Sequence, residues 1–234
     1  MLDVHPPHQA VHSRRDIFIH IATIVVGLLI AVALEQTVEF LHHRHERLEL
    51  QEALHRDTEK AIEDIQNQLK EVGGAMHGLD ARIVQIQEAL DKNQPLAPPL
   101  PRPKTHPQEM PDDPAWKAAK SGGLIELLPQ DDIKAYSEVD LGITTLTQLV
   151  APAGVFLRQR AQLEWKFERN GAKIPDFSHA SRQDLEEYLN VLLAIKAESV
   201  EFIGICAELL GAERAILRGE RDLNRIQQAE ATGK

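Results

Sequence analysis

Glu35, Glu39 and His42 are spaced four and three residues apart, and His43, His45 and Glu46 follow directly. On a helix, steps of four and three bring side chains onto one face. Imidazoles and carboxylates sharing a face form a donor set for zinc or another divalent ion. Helical di-metal centres also need carboxylates and Glu-x-x-His pairs on the facing helices. The later helical stretches of this chain carry no such pair. The simpler reading is a solvated helix whose histidines and glutamates bond to one another and to water. His5, His8 and His12 sit beside Pro6 and Pro7 in a tail without rigid spacing. No Gly-rich phosphate loop, nucleophile elbow or paired-cysteine motif occurs. Accordingly no catalytic, cofactor-binding or metal-ligating residue is assigned, no cofactor is expected, and the chain is not read as an enzyme.

The elements that carry these residues start with Ile17 to Leu34, IFIHIATIVVGLLIAVAL, which contains no Asp, Glu, Lys or Arg. At about 1.5 Å of rise per residue, this helix spans roughly 27 Å, close to the roughly 30 Å of a hydrocarbon core. Twelve of its positions are Ile, Val, Leu or Phe, which together favour insertion by about 5 kcal/mol. A buried helix of a soluble core would show a polar stripe, and this one has none. A cleaved export signal is the other reading, with Ser13-Arg14-Arg15 before the run and Ala31-Val32-Ala33 closing it. No Pro, Gly or Ser separates the run from the helical sequence after it, which favours a retained transmembrane helix over residues 17–34. Arg14 and Arg15 flank one end and Arg44 and Arg47 follow the other, so the charge rule for orientation is nearly balanced. The export-like start places residues 1–16, a flexible tail, in the cytoplasm and the body in the periplasm.

Val26-Gly27-Leu28-Leu29-Ile30-Ala31 and Leu34-Glu35-Gln36 carry a resemblance. So do the charged, leucine-spaced stretch from Leu48 to Leu69 and the later Trp116, Ser121-Gly122, Leu124 and Tyr136. The chain resembles the bacterial single-pass membrane proteins whose anchor has the form VGLLIALALEQ. The resemblance implies an inner-membrane anchor and a helical body, and no activity.

From Ile62 the apolar residues fall at Ile62, Ile65, Leu69, Val72, Met76, Leu79, Ile83, Ile86 and Leu90. The steps alternate three and four, a heptad seam that runs through Gly73-Gly74. A long juxtamembrane helix over 35–91 is therefore predicted, with a poorer seam near Leu41 and Leu48. Eight prolines between Pro95 and Pro114 mark residues 92–114 as a linker of largely polyproline II character. Within it Pro98-Pro99-Leu100-Pro101-Arg102 resembles an SH3-domain ligand, but a stiff connector is the far commoner meaning of such a run.

Asp113-Pro114 predicts a short helix that Gly122-Gly123 ends. A third helix opens near Pro129 along Tyr136, Val139, Ile143, Leu146, Val150, Ala153 and Leu157, is kinked at Pro152 and closes at Asn170-Gly171. Ser181 and Asp184 form a capping-box pattern for a last helix through Leu223. Its Lys196, Glu198, Glu201 and Glu208 exclude a second span. Residues 115–228 thus hold the remaining helices, and 229–234 form a tail. The expected fold is all-α: one N-terminal transmembrane helix continuing into a long helix, with an elongated antiparallel three-helix bundle.

A net charge of −10, with 26 Lys and Arg against 36 Asp and Glu, argues against nucleic acid as a partner. It also argues against a polybasic grip on anionic lipid. Cys206 is the only cysteine, so no internal disulfide forms, and its neighbours Phe202, Ile203, Leu209 and Leu210 make it a packed thiol. The expected partners are the lipid bilayer, through residues 17–34, and either a second copy or another membrane-associated protein. The functional expectation is a membrane-anchored helical scaffold or interaction protein. The alternative is a ligand-sensing helical module at the membrane surface.

Overall fold

The computed structural model describes residues 14–98, 110–168 and 175–232; the side chains of residue 16 and of residues 151–153 fall outside that description. The described residues form α1 (Arg14–Lys92), α2 (Pro114–Gly122), α3 (Gln130–Lys166), α4 (Arg182–Leu217) and α5 (Leu223–Thr232), with two short 3-10 turns and no strand among them. The all-α class read from the sequence holds. The expected tail over 1–16 lies outside the description up to residue 13, as does the linker from residue 99 to residue 109.

The chain divides into two units, Met1–Glu49 and Leu50–Lys234. Helix α1 crosses that division because nothing in its sequence stops it. Gly73 and Gly74 cost about 1 kcal/mol each against alanine, yet their amides stay in the ladder. Asn93, at φ 49°, ends the helix in the left-handed region, and Gln94 N–H donates to the Ala89 carbonyl at 2.9 Å.

The heptad seam faces the core. Ile65, Leu79, Ile83 and Ile86 are buried, and its other five members are half-buried. Towards Glu49 the seam departs from expectation. Leu41 and Leu48 are exposed, whereas Leu50, Leu54, Thr58 and Ala61 are buried. Two polar side chains, Thr58 and Gln68, thus occupy core positions on α1.

The core has two centres. One joins Leu50, Leu54 and Ile65 of α1 to Trp116, to Val139, Ile143 and Leu146 of α3, and to Leu209, Ile216 and Ile226. The other joins Leu79, Ile83 and Ile86 to Leu96, Leu163, Phe177, Leu185, Tyr188 and Leu192. The stretch of α1 from Leu50 to Leu69 therefore meets the early half of α3 and the late half of α4. So α4 is antiparallel to both, while α1 and α3 run the same way. Such a parallel pair needs a return connection, and the proline segment supplies its ends. The Ala97 carbonyl accepts from Arg82 at 2.6 Å, and the Gln68 side-chain amide approaches Met110 Sδ at 3.7 Å. Leu96 is buried, so the start of the expected linker is core, not solvated connector.

Helix α2 begins at Pro114 and ends at Gly123, φ 74°, as the sequence indicates. Its cap is different from the expected one. Asp113 makes no capping bond, and Asp57 of α1 accepts the Ala115 N–H at 2.7 Å instead. Helix α3 continues past Pro152 without interruption. Its seam stops at Leu146, with Val150 half-buried and Leu157 exposed. It ends at Lys166, short of Asn170-Gly171, which lie outside the description. Phe167 leaves the helix to pack on Phe177 at 4.8 Å, and its carbonyl accepts the Asp176 N–H.

The capping box at α4 forms as read, with Ser181 and Asp184 exchanging both bonds. The end of the helix does not. Gly219 adopts φ 85°, its N–H donates to Ile216, and Glu220 N–H donates to Ala215. That is a Schellman motif, and it turns the chain back on itself. Residues 223–232 become α5, so 229–232 are helix and not tail. Helix α5 lies so close to α4 that a methyl group on Gly211 would collide with the Ala229 carbonyl.

Two glycines of α4 should therefore respond oppositely to alanine. Gly211→Ala should destabilise the chain by about 1–3 kcal/mol, because backbone must move. Gly204 has open space around its Cβ position, so Gly204→Ala should stabilise by about 0.5–1 kcal/mol. Thermal melts of both variants check the contrast, and equal melting temperatures would refute the close approach of α5.

Candidate functional site

Acidic side chains converge where α1, α2, α3 and α4 meet. Helix α1 supplies Asp57 and Thr58, one turn beyond Leu54. The segment before α2 supplies Asp112 and Asp113, α3 supplies Tyr136, and α4 supplies Glu213. With Leu54, Trp116 and Val139 they enclose about 10 Å³, the room one water molecule needs.

Glu213 is 2% exposed. Among the described residues, Oε2 of Glu213 has no hydrogen-bond partner. Burial pushes its carboxyl up to about 8, with the charges of Asp113 and Asp57 adding to the shift and a hydrogen bond from Thr58 opposing it. Burial also raises the carboxyl of Asp113, against the opposing pull of Lys117. The charge of Asp140 adds to that rise, while the Lys120 ammonium, 2.6 Å from Asp140, holds the Asp140 carboxyl itself low despite its burial. The neighbouring cations are committed elsewhere. Lys117 bonds Asp112 and lies 2.8 Å from Asp113, and Arg221 bonds Asp132 and two backbone carbonyls.

Trp116 lies 2% exposed over this cluster and stacks on Tyr136, ring centroids 5.9 Å apart. Arg221 approaches the Tyr136 ring at 5.7 Å. The site is thus a small acidic pocket roofed by an indole, and its chemistry is proton binding. Sequence spacing could not reveal it, because Asp57, Asp113 and Glu213 come from three segments spread over more than 150 residues. The one visible sign was Glu213, which with Arg214 interrupts the otherwise apolar stretch Leu209 to Leu217.

A second buried polar group holds the other core centre. Tyr188 O–H donates to Glu164 Oε1 at 2.7 Å, and Arg160 Nε donates to the same oxygen at 2.9 Å. Arg82 lies over the Phe177 and Tyr188 rings at 5.4 and 6.0 Å, which returns part of its desolvation cost. Nearby, an open groove of about 620 Å³ runs between α3 and α4 along Phe156, Gln159, Gln162, Lys166, Glu187 and Asn190.

The histidine and glutamate belt lies on exposed helix in the first unit. His42 lies 3.2 Å from Glu46, His43 lies 3.2 Å from Glu46 and 3.7 Å from Glu39, and His45 lies 3.1 Å from Glu49. The carboxylates thus take the imidazoles in pairs along the helix, and Glu39 meets His43 in place of His42. Among the described residues no three His, Cys, Asp or Glu side chains are placed to hold a metal ion. Cys206 is fully buried, and its thiol is pushed up to about 12 by that burial. Comparison with protein-family models, curated proteins and solved structures returned no match.

The geometry makes Asp57 the anchor of α2. Asp57→Ala leaves the Ala115 N–H without its acceptor and should cost about 1 kcal/mol. Asp57→Asn, which keeps an acceptor oxygen, should recover most of the loss. Chemical denaturation of both variants measures the difference, and equal losses would show that the hydrogen bond contributes nothing.

Proposed function

We propose that the protein is a membrane-anchored helical scaffold. Residues 17–34 cross a bilayer once, and the helical unit from Leu50 onward holds a second copy or another membrane-associated protein at the membrane surface. The observation that carries this reading is the state of that run. It lies on a helix long and apolar enough to cross a membrane, and none of it is buried. Its twelve large apolar side chains are 41–73% exposed. Leaving that surface in water costs on the order of 10–20 kcal/mol. In hydrocarbon the cost vanishes, and the helix satisfies its own backbone. The Thr23 hydroxyl donates to the Ile19 carbonyl at 2.9 Å, so this polar group is also met locally.

Helix α3 is the other element that passes the same length and composition test. Its Tyr136, Val139, Ile143 and Leu146 are committed to the core, which supports a single span. A bacterial inner membrane, with the residues before Ile17 in the cytoplasm and the body in the periplasm, is the topology proposed. Self-association is supported by Thr23, Gly27 and Ala31 at four-residue steps, the small-residue spacing that lets membrane helices approach. Nothing lies within 4 Å of the Cβ position of Gly27. Confinement to two dimensions raises effective concentration, so weak contacts suffice.

The groove between α3 and α4 supports a second reading, a ligand-sensing module, because its volume and amide-rich lining suit a small polar molecule.

Carbonate-washed membranes from cells making the full chain should retain it, with the N-terminus intact. Release into the wash, or a mature chain starting near Leu34, would refute the anchor. Crosslinking at native expression level should then give a dimer or one discrete partner complex. A monomer without partner whose melting point is raised by a specific small molecule would replace the scaffold with the sensor.

A further inference from the structure

The acidic pocket has a feature that a purely structural core would avoid. A carboxyl group occupies a place where an amide or a methyl group would be neutral at every pH. Burying an ionised carboxylate without a counter-charge costs several kcal/mol. The groups facing Glu213 offer none. Helix α1 presents Asp57 and the Thr58 hydroxyl, the segment before α2 presents Asp112 and Asp113, and α3 presents Tyr136 and, further off, Asp132. Lys117 of α2 is held by Asp112 and Asp113, and Arg221 of the α4–α5 turn is held by Asp132. Ionised Glu213 would therefore face carboxylates.

The element most exposed to that repulsion is α2. It has only nine residues. What fastens it is side-chain chemistry at this pocket: the Asp57 bond to Ala115, the Trp116 stack on Tyr136 and the Lys120 pair with Asp140. Two of those three fastenings start from residues that line the cavity.

We propose that Glu213 is a proton-operated latch for α2: the protonated carboxyl lets Asp57, Asp113 and Trp116 close over it, and its ionisation releases α2 and uncovers Trp116. The latch makes the α2 face of the helical unit available only on the alkaline side. Its sign follows from linkage. The docked carboxyl titrates at about 8 and the free one at about 4.5. The docked state thus holds its proton more tightly. Docking is fully favoured below about 4.5, weakens roughly tenfold per pH unit as pH rises, and reaches its floor above about 8.

The chain contains two tryptophans, Trp116 and Trp165, and Trp165 is 76% exposed. The full-length Trp165→Phe protein in detergent micelles therefore reports on Trp116 alone. Its emission should be blue-shifted at acid pH, shift to the red between about pH 6 and about pH 8, and level off above. Acrylamide quenching should rise in step, while far-UV circular dichroism stays constant. Adding Glu213→Gln, which is neutral throughout, should hold the emission blue across the whole range. If that variant does not fold, Asp57→Asn takes its place: removing one neighbouring charge should move the midpoint to higher pH, because less repulsion opposes ionised Glu213 in the closed state. Emission that does not change with pH would overturn the latch. The same red shift in Glu213→Gln, or helix content lost in the same transition, would overturn it equally.

Discussion

Burial of one face of α1 is the constraint on which the helical unit depends. Both core centres are built on that face, from Leu50 and Leu54 at one end to Ile83 and Ile86 at the other. Helices α3 and α4 each lay one half on the Leu50–Leu69 stretch of α1 and the other half on the Met76–Leu90 stretch. The proline segment must then carry the chain back, which is why Leu96 and Met110 pack at different ends of the unit. A short turn after α1 would have made α3 antiparallel to it and would have exchanged the partners of every seam residue.

The polar residues inside this unit fall into two kinds. Around Glu164 the carboxylate is met by Tyr188 and Arg160, which both donate to it, while Arg82 bonds Gln85 and the Ala97 carbonyl through one nitrogen and lies over two rings. Such a network fixes register, because any slide of α4 along α3 breaks it. Around Glu213 the balance differs. Acids outnumber the cations that reach them, and burial raises the Asp113 carboxyl and pushes that of Glu213 up to about 8. The same low dielectric that strengthens the first network thus makes the second depend on pH.

In the first unit the helix changes character along its length. From Ile17 to Leu34 it carries no Asp, Glu, Lys or Arg, and from Glu35 to Glu49 acidic, basic and histidine side chains are interspersed with Val38, Phe40, Leu41 and Leu48. The histidine–glutamate pairs spaced three or four apart occupy the first charged turns, where polar partners shorten the reach to water. A scaffold needs little more than such an anchor and a rigid body.

Local chemistry determined much of this protein from the sequence alone. The continuity of α1, the limits of α2 at Pro114 and Gly123, and the capping box at Ser181 and Asp184 depend on residues within a few positions of one another. The apolar run at Ile17–Leu34 is equally legible, since its meaning lies in composition. The tertiary structure decided what depends on distant partners. Phe167 ends α3 early because Phe177 offers a ring to pack on. Asp57 displaces Asp113 as the cap of α2 because α1 happens to pass its first turn. Gly219 turns the chain so that α5 can dock on Gly211, where the missing side chain admits a backbone. The pocket around Glu213 was hidden for the same reason. A carboxyl group reads as a surface charge in any sequence, and only the walls that close on it can deny it water.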